Sequence, residues 1–80
     1  MKKKVYIAQR SRLVGLLREI RIEAGLTQAE LAGHLERDQT FVSKYESGQR
    51  RLDVLELREI CQSVGTTLEG FVKRLEKALK

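Results

Sequence analysis

GLTQAELAGHLERDQTFVSKYESGQRR, residues 25–51, holds two short helices and the break between them. Thr27 and Glu30 have the Thr-x-x-Glu spacing of a capping box, and Leu26 and Leu31 flank it as a hydrophobic staple. A helix therefore starts just after Thr27. Leu31 and Leu35 stack at i and i+4, and Ala32 beside them is small enough for a second helix to cross closely. Glu36, Arg37 and Asp38 interrupt the pattern. Asp38 is a good N-cap residue for a further helix over Gln39–Glu46, which Gly48 stops. Two helices this short are marginal alone in water, so each must be held by packing against the other.

Downstream, LDVLEL (residues 52–57) repeats the start signal, with Asp53 and Glu56 as the box and Leu52 and Leu57 as the staple. The helix it opens runs to about Val64. Its Leu57, Ile60, Cys61 and Val64 recur at i, i+3, i+4 and i+7, which reads Cys61 as a core residue and not as a reactive thiol. A last helix begins at Thr66 or Thr67, and Leu68, Phe71, Val72, Leu75 and Leu79 form its apolar stripe. That stripe either closes the core or meets a partner. Upstream, a helix beginning near Ser11 puts Leu13, Leu16, Leu17 and Ile20 on one face, with Gly25 as its stop. The first ten residues, MKKKVYIAQR, form a basic arm with three readings: a flexible tail reaching phosphates, a short strand over Val5–Ala8, or a disordered segment. No proline occurs anywhere. The fold class expected is all-α: a compact five-helix domain over residues 11–80, preceded by the arm at 1–10.

Eighty residues make one small domain with one core. Sixteen Lys and Arg against eleven Asp and Glu give a net charge of +5, which favours a polyanionic partner such as nucleic acid or an anionic membrane face. The single cysteine excludes an intramolecular disulfide framework. Nothing resembles a signal peptide or an apolar run of about 18 residues, so the cell interior is expected and no membrane. Enzyme chemistry has little support and is not expected, because a lone His34, a core-facing Cys61 and no glycine-rich phosphate loop leave no nucleophile and base to pair. His34 reads as a surface residue. No metal and no cofactor are expected, since neither His nor Cys has a partner at ligand spacing.

The segment Gln39–Glu46 divides sharply by angle. At roughly 100° per residue, Gln39, Thr40, Ser43, Lys44 and Ser47 share an arc of about 140°, and Phe41, Val42 and Tyr45 oppose them. The aromatic side is an anchor. The other side offers amide, hydroxyl and ammonium groups with no acid among them, the groups that read base edges or hold phosphates. The outward N-terminal end adds its dipole and free N–H groups, which Asp38 opposes in part.

In these residues the chain resembles the helix-turn-helix regulators of the phage repressor and Cro (XRE) type, from about Leu17 to Leu75, with the motif at about 28–47. The resemblance rests on the Thr27-Gln28 start, Ala32 at the crossing, inward Val42 and Tyr45, and the Glu46–Gly48 ending, in order and at the right spacing. It implies a lambda-repressor-like domain whose third helix enters the major groove of double-stranded DNA while the second lies across the backbone. By position it implies Gln39, Thr40 and Lys44 at base edges, Ser43 at bases or backbone, and Gln28, Arg50 and Arg51 at phosphates. Bland alternatives are a solvated first-turn Gln28 and solvated loop charges at 50 and 51.

Two positions depart from the family pattern. Glu36 stands where glycine is common, a place that can require positive φ, and Arg37 stands where an apolar residue is common. Arg37 is thereby expected to point to solvent or to a DNA phosphate, with Phe41 filling the core in its stead. Leu52 replaces a frequent proline without harm, because the staple uses it. The expected activity is transcriptional regulation, chiefly repression, by a homodimer on a near-palindromic site, with Leu75 and Leu79 as candidate dimer residues. A toxin or a polymerase subunit is a further candidate partner. The alternatives are an antitoxin that binds both DNA and a toxin, and a helical protein-interaction module.

Overall fold

Both capping boxes form as their spacing requires. Thr27 Oγ1 accepts from the Glu30 N–H at 3.1 Å and Glu30 Oε1 from the Thr27 N–H at 2.9 Å. Asp53 Oδ1 accepts from the Glu56 N–H at 2.7 Å, and Glu56 Oε1 from the Asp53 N–H at 3.0 Å. Thr67 caps the last helix through the Gly70 N–H at 3.0 Å. The computed structural model describes residues 2–80, and Met1, part of the expected arm, lies outside the described residues. Its helices are α1 (Lys3–Glu23), α2 (Gln28–His34), α3 (Gln39–Glu46), α4 (Val54–Ser63) and α5 (Leu68–Ala78).

Four helix ends share one geometry, in which the residue after the C-cap turns left-handed and two N–H groups reach back to the last-turn carbonyls. Gly25, Gly48 and Gly65 hold that position after α1, α3 and α4, with φ of 75°, 83° and 84°. After α2 it is Glu36, at φ 55°. The Glu36 N–H reaches the Gly33 carbonyl at 3.1 Å and the Arg37 N–H the Ala32 carbonyl at 2.9 Å. The motif forms fully, without the glycine.

Two expectations need correction. The helix expected from Ser11 starts at Lys3, so residues 3–10 of the basic arm are neither strand nor loose tail but the first turns of α1. Its residues contain no glycine or proline, and a helix already anchored by Leu16, Leu17 and Ile20 extends at one hydrogen bond per residue until something stops it. Asp38 does occupy the N-cap of α3 with extended backbone, but its side chain makes no capping hydrogen bond.

Leu16, Leu17 and Ile20 meet Leu31, Ala32 and Leu35, the docked face of α3, and Ile60, Cys61 and Phe71 in one core. Cys61 is fully buried, and burial pushes its thiol pKa up. Leu13, Leu26, Leu52, Leu57, Val64 and Leu75 pack around that core. Val72, expected in the stripe of α5, is exposed. Arg74 and Glu23 join α5 to α1 with contacts of 2.6 and 2.8 Å. The result measures 36 × 24 × 20 Å and holds α3 between α1 and α2 with one side open.

Candidate nucleic-acid interface

The open side of α3 is the polar arc. Gln39, Thr40 and Lys44 are exposed and Ser43 half-buried, while Phe41, Val42 and Tyr45 are buried. Phe41 and Tyr45 pack edge to face with centroids 5.4 Å apart, a one-turn aromatic pair that clamps the helix. Ser43 Oγ donates to the Thr40 carbonyl at 3.2 Å, so its hydroxyl is engaged with its own helix. Lys44 has no ion-pair partner among the described residues.

The end of α3 is fastened by an ion pair that composition alone gives no hint of. Arg21 Nε and Nη2 donate to Glu46 Oε2 and Oε1 at 2.7 and 3.0 Å, and Arg21 Nη1 donates to the Leu26 carbonyl at 2.8 Å. Both side chains are nearly sealed from water, at 10% and 4% exposure. The Glu46 carboxylate raises the Arg21 pKa, against the opposing effect of burial. Gln28, expected at a phosphate, donates its amide to the same Glu46 Oε1 at 3.1 Å. The start of α2 and the ends of α1 and α3 thus meet on one carboxylate. The signal was present in the sequence: Arg21 falls four after Leu17 and Glu46 four after Val42, each a charge on an inward stripe.

Arg37, Arg50 and Glu56 form a second cluster. Arg37 lies with its guanidinium 4.2 Å from the Phe41 ring centroid and Arg50 at 4.7 Å. Both bond Glu56: Arg37 Nη2 to Oε2 at 3.1 Å, and Arg50 through Nη1 and Nη2 at 3.1 and 2.9 Å. Arg37 is exposed, as expected, and stays out of the core; it lies over the outer face of the Phe41 ring, to which its cation is attracted. Donation from Arg50 first, then from the Asp53 N–H, holds the Glu56 carboxyl at about 2, below its ordinary 4.5. Arg51 is exposed, outside any ion pair among the described residues, and lies 5.8 Å from the Tyr6 ring centroid on α1. The structure thus brings Arg37 and Arg50 together and leaves Arg51 apart. Leu75 and Leu79, the candidate dimer residues, are half-buried, Leu75 against the core.

A helix-turn-helix domain family matches residues 12–76 of the 80. The chain belongs to that helix-turn-helix family, in its XRE type. An XRE-family like protein from Pseudomonas syringae pv. tomato str. DC3000 is 44% identical, with a TM-score of 0.87 over 94% of this chain and 92% of that one. The restriction-modification controller protein C.Esp1396I, solved as a tetramer in complex with its natural 35 base-pair operator, is 28% identical, with a TM-score of 0.80 over 89% and 93%. The clp gene regulator ClgR from Corynebacterium glutamicum shares the fold at 22% identity, with a TM-score of 0.78. No curated protein matches by sequence. As an XRE-type helix-turn-helix protein this chain is a sequence-specific DNA-binding transcriptional regulator. No helix among the described residues is long and apolar enough to cross a membrane.

Proposed function

We propose that the protein represses transcription in the cytoplasm of a prokaryote or phage host, binding as a homodimer with α3 in the major groove of each half-site. The observation that carries this is the face of α3: Gln39, Thr40 and Lys44 stand exposed and free of acids on a helix docked by three buried side chains. Gln39 and Lys44 have the geometry to reach adenine and guanine edges, and Thr40 either. Ser43 is assigned to the helix backbone or a nearby phosphate, given its bond to Thr40. Among the cations Arg51 is the principal phosphate ligand. Arg50 and Arg37 act mainly through Glu56, fixing the loop that carries Arg51, and Gln28 uses the N–H that Glu46 leaves to it.

A dimer is supported by the tetrameric operator complex of C.Esp1396I and by the few base pairs one helix spans. The function is binding and not catalysis. Selection of duplexes from a random pool tests the reading: a near-palindromic consensus is expected. Lys44→Ala should relax preference at particular base pairs at a cost of about 1–3 kcal/mol per half-site, while Arg51→Ala should weaken all sequences alike and lower the salt slope by about one unit per half-site. No enrichment from the pool, or Lys44→Ala with unchanged preference, would remove α3 from the role of reader.

A further inference from the structure

The first turns of α1 are not needed for the core. Val5, Tyr6 and Ile7 are exposed, and the buried residues of α1 begin only at Leu16. The segment is nevertheless ordered as helix from Lys3. Its charge is one-sided in sequence: Lys2, Lys3, Lys4, Arg10, Arg12 and Arg18 all precede the first acid, Glu19.

Helix geometry selects which of these cations matter. Tyr6 marks the side of α1 that faces the loop after α3, since Arg51 lies over its ring. At roughly 100° per residue, Lys3 and Arg10 lie within about 60° of Tyr6, whereas Lys4 and Arg12 point well away. Arg10 also lines, with Tyr6 and Ile7, a shallow groove whose far wall is Ser47 and Gly48, the last turn of α3 and its stop. Arg10 thus stands on the flank of α3, near Arg51, and Lys3 lies on the same side of α1 about two turns farther out. None of the three is in an ion pair among the described residues.

We infer that Lys3 and Arg10 form a helical phosphate clamp on duplex DNA flanking each half-site, an extension of the contact made by Arg51. The inference rests on the reading of α3 and its following loop as the DNA-facing side. A strand that borders the groove entered by α3 passes the loop at 47–51, and α1 continues outward from there. Seven residues of helix separate Lys3 from Arg10 by about 10 Å, the axial rise of about three base pairs at roughly 3.4 Å each, so the two cations reach different phosphates of one strand. Bidentate Arg10 next to the loop and a longer, flexible Lys3 farther out match that spacing with point charges and no base reading. Flanking duplex of any sequence is therefore the ligand.

The test uses the full chain, the consensus duplex recovered by selection in two lengths, one flush with the half-sites and one extended by about one helical turn on each side, and the double variant Lys3→Gln/Arg10→Gln. On the long duplex the variant should lower the slope of log affinity against log salt by nearly two units per half-site, and so by nearly four for the dimer on its full site, about 0.9 per lost phosphate, with base preference unchanged. Trimming the flanks should lower the wild-type slope by the same amount and leave the variant's slope alone. Lys3→Arg should retain the wild-type slope, which separates lost charge from lost helix. A variant with wild-type slope on the long duplex, or trimming that affects both proteins equally, overturns the clamp. Loss of binding to phosphatidylserine vesicles with no change on DNA overturns it too, and assigns the cations to a membrane face. Failure of the α3 reading has a separate signature, base preference indifferent to Lys44→Ala.

Discussion

Glu36 and Arg37 show one residue's departure being answered by the next. The turn after α2 needs a left-handed residue, and Glu36 supplies it at φ 55° against the steric cost every L side chain meets there. Glycine would avoid that cost but lose more entropy on folding, so the two effects partly cancel. Glu36→Gly is expected to raise unfolding free energy by about 0.5–1 kcal/mol, read as a higher midpoint in urea at unchanged slope. Arg37, next in line, turns from a missing apolar contact into a cation on Phe41 bound to Glu56. That pairing carries a pH dependence. Glu56 has its carboxyl lowered from 4.5 to about 2, so its contribution to stability is complete above the unfolded value and is lost as pH falls from about 4.5 toward 2. Glu56→Gln should flatten the fall in stability across that window. An equally steep acid unfolding curve for the variant would place the titrating group elsewhere.

Among the helices, what could be read from the chain was what local chemistry decides. The starts of α2 and α4 were legible because a capping box and its staple lie within six residues. The start of α1 was not, since it depends on the absence of a stop and on packing farther along the helix. The docked face of α3 followed from periodicity; each inward charge, Arg21 and Glu46, is visible on its own stripe, but their pairing is not, because they are 25 residues apart. Only side chains arriving from two helices make a charge on an apolar stripe tolerable. This pair makes a prediction at the scale of the joint between α1 and α3. Glu46→Ala should cost about 3–5 kcal/mol, because it leaves the Arg21 guanidinium buried without its counter-ion. Replacing both by apolar residues, Arg21→Met with Glu46→Leu, should recover much of that stability. Chemical denaturation of Arg21→Met, of Glu46→Leu and of the double variant measures the coupling directly. Additive losses would mean that the contact contributes little beyond its separate burial.

For the whole molecule, the proposed dimer needs a surface, and the burial pattern redirects the choice of it. Leu75 and Leu79 are partly consumed inside the protomer, Leu75 on the core and Leu79 in a groove shared with Ala8 and Arg12 of α1. Among the described residues the largest apolar exposure instead lies at the start of α4, where Leu55 is 76% and Val54 66% exposed. Both follow the Asp53 cap; Leu55 points away from the stripe that Leu57, Ile60 and Cys61 bury, and Val54, at the exposed first position of the helix, stays two-thirds in water. Two adjacent apolar side chains left in water on a small domain mark an interaction site more readily than scattered ones. Leu55→Asp is therefore expected to leave the folded protomer intact by circular dichroism while shifting sedimentation at high micromolar concentration from dimer to monomer, and to weaken binding to a full palindrome far more than to one half-site. Leu79→Asp should act in the opposite proportion, lowering thermal stability by loosening α5 from α1 with little effect on association. If Leu79→Asp dissociates the dimer and Leu55→Asp does not, the interface belongs to α5, and the exposed start of α4 must serve another contact.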